Sequence, residues 1–296
     1  MDLPSCVHRR VFEALRGDRP CEIDVQALWV CGDLQALRCP SVAIVGTRAA
    51  SGYGKGLARR FAGELSAAGC CIISGLALGI DGAAHEGAVG AGGPTIGVLG
   101  GGHEVFFPQR NRALAQRMLA AGGAVISPYP PQQPPLPANF LQRNAIVAGL
   151  SDAVVVIEAP ARSGALNTAG WAAGRVPVFA VPGDVDRPMV AGCHALIRDG
   201  AILARDPLDV LAELKMTSAT TAPPQPQFKE PMHEVLWHAV ESGEPTLDEL
   251  ARTLRAPAHV LLPALGVLEL RGLVESRPGA RYARRASARD FDAARR

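Results

Sequence analysis

Between residues 42 and 181 short apolar runs recur at a steady interval. They begin at Val42 (VAIV), Cys70 (CCIIS), Thr95 (TIGVL), Ala124 (AVIS), Ala153 (AVVVIE) and Val176 (VPVFAV), with starts 28, 25, 29, 29 and 23 residues apart. Between them lie helical patterns over Gly54–Ala68, Ile80–Val89, Arg110–Ala121, Ala138–Gly149 and Leu166–Gly174. Strands alternating with helices at this spacing predict βαβ units and a parallel sheet. The runs lack polar alternation, which predicts helices covering both faces of that sheet. The segments do not resemble one another, so the rhythm is architecture and not a repeat protein.

The flanks read differently. Residues 1–40 predict a short extension, a vestigial helical region with helical pieces over 1–27. Leu28-Trp29-Val30 supplies an extra edge strand. Residues 217–227 (TSATTAPPQPQ) are rich in Pro, Thr and Gln without apolar periodicity and predict a linker. Beyond it, Met232–Glu241, Leu247–Leu254 and Pro257–Leu270 predict three helices. The second opens on the capping-box pattern Thr246-Leu-Asp-Glu249. Gly272–Ser276 and Arg281–Ala283 predict a short hairpin, so residues 228–285 read as a winged helix. The whole predicts an α/β protein: an extended Rossmann-like domain with a mostly parallel sheet over 41–216, a small C-terminal winged-helix domain, and an Arg-rich tail over 286–296.

The chain has 296 residues, 48% hydrophobic and 20% charged, which excludes global disorder and suits one large domain plus one small one. No apolar run approaches the roughly 18 residues of a membrane span. The first residues show no secretory pattern. The cysteines are seven, an odd number without a C-x-x-C pair, so neither a zinc ribbon nor a disulfide framework is expected. These features predict a cytoplasmic protein without membrane contact and without metal or cofactor. Net charge is +2, but the mean hides its distribution. Residues 41–212 carry +2, residues 228–276 carry −4 and residues 277–296 carry +5.

Four strand-to-helix turns carry the chemistry. The first, Gly46-Thr47-Arg48-Ala-Ala-Ser51-Gly-Tyr-Gly-Lys55, would aim backbone N–H groups at an anion. It is not a dinucleotide fingerprint, because Arg48 and Ser51 stand at the second and third glycine positions and no acid ends the next strand. Nor is it a P-loop, since Gly56 follows Lys55. Arg48, Ser51 and Lys55 remain candidate phosphate ligands. The second turn, Ser74–His85, puts Asp81 and His85 four residues apart on a helix. They read as an acid–base or metal pair, or as an internal Asp–His hydrogen bond. The lack of a third ligand favours the bond. The third, Asn139–Asn144, sets Phe140 beside Arg143 and Asn144. Phe can stack on an unpaired base, Arg can pair with phosphate and Asn can read a base edge; equally, the Phe can be a core anchor. The fourth, Ser163–Thr168, offers hydroxyl donors at Ser163 and Thr168. In a parallel sheet all four turns share one edge. That predicts a polar, anion-friendly crevice, and no nucleophile–base or carboxylate pair emerges to make it catalytic.

These motifs resemble those of the DNA-processing protein A (DprA/Smf) family. They are V-A-I-V-G-T-R-x-x-S-x-Y-G (42–54), S-G-L-A-x-G-I-D-x-x-A-H (74–85), N-F-x-x-R-N-x-I-x-A-G-L (139–150), S-G-x-L-x-T-A (163–169) and V-P-G (181–183). They stand in the family's order and cover about residues 28–212. The resemblance implies an extended Rossmann fold that binds single-stranded DNA, forms homodimers and loads the RecA recombinase during natural transformation. A single-stranded-DNA-binding protein is a further candidate partner. By motif position the DNA pocket would hold Gly46, Thr47, Arg48, Ser51, Phe140, Arg143 and Asn144. Leu141 and Ala145 stand where the family usually has Pro and Arg, and Phe107 replaces a usual Tyr in F-P-x-x-N (107–111).

The acidic winged-helix segment would repel phosphate, which favours a protein-contact or accessory role for it. The Arg-rich tail either adds nonspecific DNA affinity or is a solvated end. Two other functions compete. A nucleotide-processing enzyme of the cytokinin-activating phosphoribohydrolase type would need a glutamate where Trp171 stands. A winged-helix regulator with a ligand-sensing Rossmann domain would prefer a specific duplex.

Overall fold

The apolar runs form strands because both of their faces are covered. In the computed structural model, which describes residues 4–216, 228, 230–240, 243, 245–271, 273–277 and 279–284, the chain divides into two units, Met1–Ala219 and Thr220–Arg296. The first contains β1 (Ser5–His8), α1 (Arg9–Arg16), β2 (Ala27–Gly32), β3 (Ser41–Gly46), α2 (Gly52–Ala67), β4 (Cys71–Ser74), α3 (Ile80–Gly90), β5 (Thr95–Val98), α4 (Arg112–Ala120), β6 (Ala124–Ser127), α5 (Pro137–Gly149), β7 (Ala153–Ile157), α6 (Gly164–Ala172), β8 (Val178–Ala180), α7 (Ala191–Arg198), β9 (Ile202–Leu203) and α8 (Pro207–Glu213). The strands make one nine-stranded sheet in the order β1-β2-β6-β5-β4-β3-β7-β8-β9. From β6 to β9 every neighbouring pair is parallel. Only β2 runs against the others, pairing antiparallel with β1 on one side and β6 on the other.

Alternate residues of each central strand enter opposite cores. Ala43, Val45, Val154 and Val156 pack with α1, α5 and α6. Val42, Ile44, Val155 and Ile157 pack with α2, α3 and α8. All eight are 5% exposed or less, so neither face tolerates a polar residue and the runs read as continuous. A third cluster seats α4 through Leu114 and Met118 against Leu76, Leu99 and Phe106.

The N-terminal extension departs from expectation. Residues 5–8 were expected to be helical, yet they form β1, and β1 rather than β2 is the sheet edge. β2 therefore lies inside the sheet, between β1 and β6. What fastens the extension is a half-buried charge cluster around the buried Arg16. Asp152 accepts hydrogen bonds from Arg16 at 2.7 Å, Arg19 at 2.9 Å and the Ser41 amide at 2.7 Å. Arg16 and Arg19 also donate to the carbonyls of Leu150, Cys39 and Leu37.

The second unit contains α9 (Pro231–Ala239), α10 (Leu247–Leu254), α11 (Ala258–Leu270) and the hairpin β10 (Val274–Arg277) and β11 (Arg281–Arg284). The capping box at α10 is formed. Glu249 N donates to Thr246 Oγ1 at 3.3 Å, and Thr246 N donates to Glu249 Oε2 at 2.7 Å. Leu236, Trp237, Leu250, Leu261, Leu265 and Leu268 make its core. The linker at 217–227 and the tail at 286–296 lie outside the described residues.

Candidate nucleic-acid interface

β3 and β7 are neighbours whose chains leave in opposite directions. From β3 the chain passes through α2 on one face; from β7 it passes through α6 on the other. Ligand crevices of open α/β sheets form at such a switch point, beyond the strand C-termini. A crevice of about 630 Å³ opens there, lined from the β3–α2 turn, the β4–α3 turn, α5 and the β7–α6 turn. Of the expected site residues, Gly46, Thr47, Arg48, Phe140, Arg143, Asn144, Ser163 and Thr168 line it.

Local packing sets each of them. Gly46 pairs with Ile157 across the ladder, and a Cβ there would sit 1.9 Å from the Ile157 carbonyl oxygen. Thr47 N donates to the Glu158 carbonyl at 2.7 Å, which pins the turn to the end of β7. Arg48 follows, exposed, with its guanidinium carbon 5.0 Å from the Phe140 ring centroid. That separation suits a cation–π contact. Phe140 lies against Gly100, where a Cβ would come within 2.7 Å of the ring. The ring of Phe107, 48% exposed, meets Phe140 edge-to-face at 6.0 Å.

Arg143 sits on the crevice floor. It is buried, and its Nη1 donates to the carbonyls of Gly75 and Val98. Gly75 has no side chain because the guanidinium occupies the space. Burial pulls the Arg143 pKa down to about 10, against the opposing attraction of Asp81. At neutral pH it stays charged. Arg143 was expected to pair with phosphate directly; the structure commits one of its nitrogens to the protein. Asn144 donates to the Gly164 carbonyl at 3.1 Å and so ties α5 to α6. Ser163 caps α6, accepting from Ala165 N at 3.3 Å.

Two expected residues lie outside the lining, Ser51 and Lys55. Ser51 faces Glu158: its amide donates to Oε2 at 2.8 Å and its hydroxyl to Oε1 at 2.5 Å. Lys55 lies farther along α2, half-buried. The Asp81–His85 hydrogen bond is also not made. Asp81 accepts from Gly75 N at 3.1 Å, and burial raises its pKa. His85 Nδ1 instead bonds the Thr95 hydroxyl at 2.8 Å, and that hydroxyl donates to the Ile72 carbonyl at 2.6 Å. His85 projects from α3 toward the sheet, so four-residue spacing on the helix does not bring it to Asp81.

Sequence reasoning missed Arg162, an exposed lining residue. Its position immediately before the Ser163-Gly164 turn was the available signal. With it the lining carries three guanidiniums, Arg48, Arg143 and Arg162, against the single carboxyl of Asp81. The arrangement offers stackable rings and positive charge. Among the described residues no group of three His, Cys, Asp or Glu side chains could hold a metal ion, and no helix is long and apolar enough to cross a membrane.

Comparison with known proteins gives consistent matches. The family described as DNA recombination-mediator protein A matches residues 19–215, and the DprA winged helix domain matches residues 219–280. Protein Smf of Escherichia coli (strain K12) is 39% identical over 264 residues, covering 86% of this chain and 70% of that protein. The X-ray structure of DNA processing protein A from Streptococcus pneumoniae superposes with a TM-score of 0.60 at 37% identity, covering 68% of this chain and 76% of that one. DNA processing protein A from Helicobacter pylori, whose structure was described for its single-stranded DNA binding mode, superposes at 0.61 with 28% identity, over 72% and 95% of the two chains.

Proposed function

The chain belongs to the DprA/Smf family of DNA recombination mediators, and we propose that its crevice at the β3/β7 switch point holds single-stranded DNA. As a family member it is a DNA-binding mediator and not an enzyme. The observation that carries the reading is Arg48 over Phe140, with Phe107 beside it and Arg143 beneath. Single strands expose base faces that a duplex hides, and aromatic side chains take them without regard to sequence. Exposed guanidiniums beside the rings take the phosphates. In this reading Arg48 and Arg162 contact the backbone, Phe107 and Phe140 stack on bases, and Asn144, Ser163 and Thr168 supply polar contacts. Arg143 holds the floor and its positive field, with Gly46 and Thr47 shaping the turn. Ser51 and Lys55 stand aside.

Family membership also supports a homodimer that protects incoming single strands and loads RecA during natural transformation. The acidic winged helix, at −4 over residues 228–276, suits contact with protein better than with phosphate. The test is a salt titration of single-stranded against duplex DNA, with the full chain and a chain ending at residue 216. Tighter binding to single strands, weakening as salt rises and kept by the shortened chain, is expected. Tighter binding of duplex overturns the assignment. For loading, RecA-driven strand exchange on DNA covered by single-stranded-DNA-binding protein should start sooner when this protein is added. Sedimentation should report a dimer.

A further inference from the structure

The β3–α2 turn has the shape of a nucleotide-phosphate seat, but the seat is filled from within. Glu158 directly follows β7, opposite the N-terminus of α2, and is 3% exposed. Its Oε2 accepts from the Ser51 amide at 2.8 Å and its Oε1 from the Ser51 hydroxyl at 2.5 Å. Arg187 Nη2 approaches Oε1 at 3.4 Å. The carboxylate also lies flush against the first turn of α2: a Cβ on Gly54 would stand 2.3 Å from Oε2. Glu158 reaches this position with a backbone φ of 48°, a left-handed conformation that is unfavourable for a residue with a side chain unless its surroundings hold it. Here they do, through the carboxylate and through Thr47 N, which donates to the Glu158 carbonyl.

At a switch point the N-terminus of the helix after the first strand is where mono- and dinucleotides place a phosphate, drawn by free N–H groups and the helix dipole. We propose that Glu158 is a resident anion occupying that seat. It acts as a specificity-determining residue, keeping the phosphates of free nucleotides off α2. A second anion there would meet both a filled space and a like charge. Ligand phosphates are left with the exposed guanidiniums of Arg48 and Arg162, which line the crevice. The inference concerns α2 alone and stands whether or not the crevice takes DNA.

The test uses the full chain and inorganic phosphate. Glu158→Ala empties the seat; Glu158→Gln keeps it filled without charge. Thermal unfolding is followed in chloride and in phosphate at matched ionic strength. Glu158→Ala should gain a saturable rise in Tm of about 4 °C with phosphate. Wild type and Glu158→Gln should show none. A folded Glu158→Ala that answers like wild type overturns the proposal, as does a Glu158→Gln that answers like Glu158→Ala. Should Glu158→Ala not fold even in phosphate, wild type decides by titration with AMP and with NADH. Absence of millimolar binding supports the filled seat. Binding that Ser51→Ala abolishes refutes it.

Discussion

Arg48→Ala should weaken binding of single-stranded DNA while leaving the fold alone. Arg48 is exposed, and among the described residues it has no carboxylate partner. Its guanidinium carbon lies 5.0 Å from the Phe140 ring centroid. Losing an exposed cation–π contact costs the fold about 0.5–1 kcal/mol. A charge-assisted phosphate contact is worth about 1.5–3 kcal/mol, so the dissociation constant should rise roughly 10- to 150-fold. The number of counterions released should also fall, lowering the slope of log K against log salt by about 0.7, the value for one phosphate on a single strand. Arg48→Lys separates charge from shape. It should keep the slope and lose only the planar stacking, about 2- to 5-fold in affinity. The assay is fluorescence anisotropy with a labelled oligothymidylate at roughly 50 to 200 mM salt, the range where such slopes are readable. Arg48→Ala binding within twofold of wild type with an unchanged slope would refute the reasoning.

Three further outcomes are expected. Asp152→Ala should lower stability by about 3–5 kcal/mol in urea melts, because it strands the Arg16 guanidinium, whose side chain is fully buried; a loss below about 1 kcal/mol would contradict the role given to the cluster. Burial pushes the His85 pKa down to about 3 from an ordinary 6.5, so the unfolded chain takes up a proton first as pH falls, and stability present above pH 6.5 drains away toward pH 3. Between pH 6.5 and 4.5 that amounts to about 2–3 kcal/mol. His85→Asn should lose correspondingly less over that interval, and an equal loss in both proteins would refute the assignment. Cys6 is exposed, whereas burial pushes the Cys70 thiol up to about 12 and Cys71 higher still. Iodoacetamide at mildly alkaline pH should label Cys6 in the native protein and reach Cys70 and Cys71 only after denaturation, as read by mass spectrometry.

The parallel sheet was legible because each strand between residues 41 and 180 is apolar on both faces, and a sheet covered on both sides is what such a run demands. β1 was not legible. Ser5-Cys6-Val7-His8 has exposed or half-exposed side chains, and it is a strand only because β2 presents an unpaired edge to it. α7 and α8 escaped notice as well, although Asp206 before Pro207 is an N-cap signal, with Leu208 N donating to the Asp206 carboxylate at 2.8 Å. The candidate site follows the same division. The convergence of residues 46–48, 140–144 and 163–168 follows from topology, since parallel strands bring their C-terminal turns to one edge. Which polar groups find each other there does not follow from spacing along the chain.

Asp81 and His85 show why. Helical spacing states which side chains share a face of α3; it is silent on what the sheet presents beneath them, and Thr95 takes His85. Glu158 carries the point into function. In sequence it is one acid after an apolar run, and Ser51 reads as a phosphate ligand. Only the pairing of β3 with β7 sets the two opposite each other. Once Glu158 holds the N–H group of Ser51, the helix dipole of α2 is spent on an internal charge, and the anion affinity of the crevice passes from backbone to side chains. Backbone N–H groups at a helix terminus favour one compact, fixed phosphate. Guanidiniums on an exposed rim beside aromatic rings suit a phosphate chain that passes through, whatever its sequence. In the proposed reading, the division between Glu158 and Arg48 turns a fold suited to nucleotides into one suited to a strand.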